Sequence, residues 1–134
     1  YYGIKASEGG FIETFSEFLN YMKYMANNHS NEVAAFELDD GRFFIQPFDK
    51  NTPRVSGNDL ECVPGYKWHQ IKSQYHTHPD NYQGLSYQDA LVSANFHIPV
   101  HTIGTNGVVY RGVYSHPVPR FFAISYGKQN GIIE

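Results

Sequence analysis

Imidazole titrates near neutrality and is the commonest metal ligand in proteins, and this 134-residue chain carries seven histidines. Two of them, His76 and His78, stand two residues apart in the run Tyr75-His-Thr-His-Pro79. On an extended segment alternate side chains point to the same side, so both imidazoles can converge on one ion while Thr77 faces away. Pro79 ends the strand and leaves the pair where solvent or substrate can enter. Seven histidines produce about 0.4 such pairs by chance, so the pair alone decides little. Asp89 adds the carboxylate of a catalytic divalent site, and Ser86, one helical turn earlier, places a hydroxyl beside it. Two imidazoles and one carboxylate leave one position of a tetrahedral zinc open to water, the layout of a hydrolytic site rather than a closed structural one. The same residues also have plainer readings. Ser86 and Asp89 suit an ordinary helix-capping pair, the histidines suit a polar sheet edge, and His76, His78 and Asp89 suit a ferrous-iron facial triad.

Taken together, His76-Thr-His78-Pro79, six further residues and then Ser86-Tyr-Gln-Asp89 form H-x-H-P-(x)6-S-x-x-D. This resembles the signature of the JAMM (MPN+ or JAB-domain) zinc metalloproteases. With the spacing fixed in advance, composition alone produces it on the order of once in ten thousand trials. The family pattern also has a glutamate at a strand start after an amphipathic helix, in a context like E-V-x-G-x-L. In Glu32-Val-Ala-Ala-Phe-Glu-Leu38, Glu32 and Val33 match it, with Ala35 in place of the glycine and the leucine one position late at Leu38, and Ser73-Gln74 replace a glycine and a bulky apolar residue before Tyr75. The resemblance spans about residues 10 to 115. It implies that His76, His78 and Asp89 hold one Zn²⁺ and that Glu32 is the general base toward the attacking water. It further implies that Ser86 donates a hydrogen bond to the oxyanion of an amide undergoing hydrolysis. The implied substrate is a peptide or isopeptide bond beside the tail of ubiquitin or a ubiquitin-like protein. A JAB-like effector domain acting on another amide, and a non-catalytic MPN-type scaffold, are the alternatives. Glu37 is the alternative to Glu32 as the base, and His101 is either a partner of the metal ligands or an ordinary surface or core residue. Cys62 has no partner base for nucleophilic work, and Tyr82 and Tyr87 flank the predicted site.

These residues need elements to carry them. Phe11, Ile12, Phe15, Phe18, Leu19, Met22 and Met25 recur at helical spacing and predict an amphipathic helix from Phe11 to about Met25, ended by Asn27-Asn28-His29-Ser30-Asn31. Residues 32–38 and 42–46 read as a hairpin about Asp39-Asp40-Gly41. A polar loop follows at 49–59, then a strand from Gln70 that runs into the histidines. A second helix is expected from Ser86 to about Phe96, stopped by Pro99, and strands at Val100–Ile103, Val108–Tyr110 and Phe121–Ser125. The pattern makes one α/β (mixed α+β) domain with a core from about residue 10 to 126, and the resemblance implies an MPN/JAB-like fold with a central curved sheet flanked by helices.

Composition agrees with one ordinary core, since a chain of this length buries roughly 70% of its unfolded surface. Charged residues make up 17%, below the usual share of about 25%, which argues against disorder and coiled coil. A net charge of -3 lacks the basic footprint of a nucleic-acid binder. The lone Cys62 excludes an internal disulfide and a multi-cysteine zinc site. Apolar runs are too short for a membrane-spanning helix, so the expected setting is soluble, either cytoplasmic or within a secreted effector. The chain starts at Tyr1 rather than Met, as expected of a piece excised from a longer protein.

Overall fold

The protein is seen in a computed structural model that describes residues 3–48, 63–79, 98–112 and 124–125. In chain order the elements are β1 (Gly10–Ile12), α1 (Phe15–Asn28), β2 (Ala34–Leu38), β3 (Phe43–Ile45), β4 (Ile71–His78), β5 (Val100–Gly104), β6 (Val109–Gly112) and β7 (Ile124–Ser125). The described strands form one sheet in the order β1-β3-β2-β4-β5-β6-β7. Its pairs are antiparallel except β4 with β5, which run parallel. The fold is therefore the mixed α+β arrangement expected. No helix among the described residues is long and apolar enough to cross a membrane.

The first helix starts later than its apolar spacing predicts. Phe11 and Ile12 belong to β1, opposite Phe44 and Phe43 of β3. The helix begins only after Thr14, whose extended backbone and side chain, accepting from the Glu17 N–H at 3.2 Å, make it the N-cap. Its end also differs, because Asn27 and Asn28 lie inside the last turn. Their side-chain amides donate to the carbonyl oxygens of Lys23 and Tyr24, each at 2.9 Å. The Asn27 amide reaches Thr105 as well, at 2.8 Å, tying α1 to the turn after β5.

Alternation along the strands divides the core between two faces. On one, α1 lays Phe18, Leu19, Met22 and Met25 over Val33, Ala35, Phe43, Tyr75, Ile103 and Val109. The Phe18 ring stacks on Phe43 at 4.1 Å and meets Tyr75 edge-on at 4.9 Å. Ala35 is fully buried beneath this layer, so the small residue is one the packing requires. The opposite face buries Phe36, Leu38, Phe44, Val63 and Ile71.

The hairpin between β2 and β3 turns where expected, with Gly41 at φ +89°. Arg42 lies over the Phe11 ring and donates to the Tyr66 hydroxyl at 2.6 Å. The Tyr66 hydroxyl in turn donates to Asp40, and this bond, with the Arg42 backbone N–H, holds the Asp40 carboxyl below its usual range. The β2–β3 corner is thus fixed to the segment that leads into β4.

The double contact of Phe18, fully buried between α1 and the sheet, gives a direct test of this layer. Phe18→Ala should lower unfolding free energy by about 3–5 kcal/mol, read from urea denaturation. A loss well under 1 kcal/mol would show that α1 does not pack as described.

Candidate metal centre

The two histidines sit on the middle strand of the sheet. β4 lies between β2 and β5, with His76 opposite Ala34 on one side and Thr102 on the other. The strand continues through His78, so period-two alternation puts Gln74, His76 and His78 on the face away from α1. Both imidazoles are buried, at 4% and 5% exposure. Their Nε2 atoms stand 3.2 Å apart.

That separation has a direct chemical reading. Zinc binds imidazole nitrogen at about 2.0–2.1 Å, and two ligands at the tetrahedral angle then lie about 3.3 Å from each other. The observed pair falls at that span. Glu32 supplies a carboxylate oxygen 3.9 Å from Nε2 of His76, from a half-buried position at the edge of the pair. The ligating atoms of Glu32, His76 and His78 all lie within 4.8 Å of one another, close enough to hold a metal ion. Two neutral nitrogen donors and one anionic oxygen suit a borderline divalent cation such as zinc.

Glu32 reaches this position because the chain just after it is clamped. The Thr77 N–H donates to the Val33 carbonyl at 3.0 Å, and the Val33 N–H donates to the Thr77 hydroxyl oxygen at 2.9 Å. Val33 and Thr77 are both fully buried, and Val33 packs into the α1 layer. Alternation then carries Glu32 toward the histidine face. Upstream, His29 caps the end of α1, and its Nδ1 accepts from the Asn31 N–H at 3.3 Å. The polar stretch that reads as a helix terminator is thus the structured link from α1 to Glu32.

The structure brings together three of the five residues expected at the site, namely Glu32, His76 and His78. Ser86 and Asp89 lie outside the described residues, as do the predicted second helix, Cys62, Tyr82 and Tyr87. Glu37 is not part of the cluster. It pairs with Ser73, three positions along the ladder from Ala34–His76, and accepts from the Ser73 hydroxyl at 2.7 Å. His101 has a core role, since its ring stacks on Tyr75 at 4.0 Å and its Nδ1–H donates to the Gln74 carbonyl at 3.3 Å.

Two participants are missing from the sequence reading. Thr77 is there only the residue facing away from the ion, yet its hydroxyl fixes the approach of Glu32. Gln74, read as a departure from the family pattern, places its Oε1 3.0 Å from Nδ1 of His76. Its position two residues before His76 on a strand is the signal that marks it as a same-face neighbour.

Comparison of the sequence with protein-family models gives no match, and comparison with curated proteins gives no significant one.

Thr77→Val keeps the shape of the side chain but leaves the buried Val33 N–H without its acceptor. Stability should fall by about 1–3 kcal/mol in chemical denaturation. Unchanged stability would contradict the clamp.

Proposed function

We propose that this chain is a zinc-dependent amide hydrolase of the JAMM kind, cutting a peptide or isopeptide bond in a protein substrate. The observation that carries the reading is the convergence of Glu32 on the buried His76–His78 pair. Glu32 lies far from the histidines in sequence, and only folding brings it to them. The H-x-H-P-(x)6-S-x-x-D spacing supports it independently.

In this reading His76, His78 and Asp89 hold the metal and Glu32 remains free for proton transfer. When bound, zinc supplies Lewis acidity that makes hydroxide-like attack available near neutral pH. Glu32 accepts the proton of the attacking water and returns it to the leaving amine. Its half-buried position suits this double role, because the carboxylate stands at the exposed rim of an otherwise buried pair. Ser86 donates a hydrogen bond to the oxyanion that develops on the scissile carbonyl, a contribution of roughly 3 kcal/mol in comparable sites. A substrate tail that enters extended, as the C-terminus of a ubiquitin-like protein does, suits a site at the end of a strand.

The test is incubation of the zinc-loaded protein with ubiquitin-like conjugates and carrier-protein fusions, with cut bonds identified by mass spectrometry. Wild type should cleave, and Glu32→Gln should retain zinc while losing at least about 10²-fold in rate. Full cleavage by metal-free protein, or by Glu32→Gln, would contradict the proposal.

A further inference from the structure

The histidine pair poses a question of tautomers that its neighbour answers. Each neutral imidazole carries one N–H, and a metal ligand must present the bare nitrogen. His76 points Nε2 toward His78 and toward Glu32, while its Nδ1 lies 3.0 Å from Oε1 of Gln74. An amide oxygen only accepts, so this contact requires the proton on Nδ1 and leaves the lone pair on Nε2. We propose that Gln74 is a positioning residue of the metal centre, holding His76 in the tautomer and ring orientation that present Nε2 to the ion. The inference rests on the metal-centre reading above and adds to it the residue that prepares one ligand.

Gln74 is well placed for this. It is buried, at 2% exposure, so water competes little for its amide. Its backbone is fixed on the β5 side, where its N–H donates to the Pro99 carbonyl at 3.0 Å and its carbonyl accepts from His101 Nδ1 at 3.3 Å. The strand spacing then sets the amide beside the ring. A hydrogen bond from the outer imidazole N–H to a fixed acceptor also raises the basicity of the ligating nitrogen. An apolar residue here would bury the Nδ1–H of His76 with no acceptor from this position, and the ring would be freer to turn.

The experiment compares zinc affinity, by competition with a chromophoric chelator, in wild type, Gln74→Met and Gln74→Glu, with folding checked by circular dichroism. Gln74→Met should bind zinc about 10–100-fold more weakly, the usual effect of losing such a partner, and Gln74→Glu, which restores an acceptor, should recover most of the loss. A folded Gln74→Met with wild-type affinity, or a Gln74→Glu as weak as Gln74→Met, would overturn the inference while leaving the metal centre standing. Wild type that takes up no zinc would overturn both. Should Gln74→Met not fold, the ¹⁵N shifts of the His76 ring in metal-free wild type decide the matter. A proton on Nδ1 supports the assignment and a proton on Nε2 overturns it.

Discussion

Two imidazole nitrogens facing each other at 3.2 Å in a buried site repel unless a proton or a cation lies between them. Most of what is particular to this structure serves or follows from that constraint. An N–H of one ring directed at the other would satisfy the pair, and so would a divalent ion at nearly the same span. The site can therefore accept a metal with little movement of the rings. Glu32 adds a carboxylate oxygen 3.9 Å from Nε2 of His76, at the edge of the pair.

Holding that geometry is the task of the middle of the sheet. β4 has a hydrogen-bonded neighbour on each side, and its other face is pressed by α1 through Tyr75. Adjacent residues on the strand thus divide the work. Tyr75 and Thr77 fasten the strand to the α1 layer and to Val33, while Gln74, His76 and His78 build the opposite face. The rigidity of the chemistry-bearing face comes from the packing of the other. Among the described residues of the cluster, Glu32 is the half-buried one, at the edge of the buried pair.

Much of this is legible in the sequence. The histidine pair announces itself by a strand period of two, and the hairpin by apolar runs about Asp39-Asp40-Gly41. The start of the first helix is misread because Phe11 and Ile12 suit a helical apolar stripe as well as a strand. Thr14, whose hydroxyl caps the helix, is the local feature that decides between them. Glu32 is visible through its resemblance context, but its approach to His76 depends on a pairing between residues more than forty apart, which no local pattern encodes. Thr77 escapes notice for a similar reason, since its partner Val33 is equally remote. Gln74 is hidden differently: a glutamine in a strand reads as an ordinary polar residue until folding sets its amide beside the ring of His76.

His76 and His78 are spaced by folding to hold one metal ion between them, which we propose to be zinc. Anomalous diffraction at the zinc edge, from crystals grown with the metal, addresses this most directly. A single strong peak is expected, lying about 2.0–2.1 Å from Nε2 of both histidines. A zinc-loaded crystal with its peak elsewhere, or with the two rings still bonded to each other and no metal between them, would contradict it.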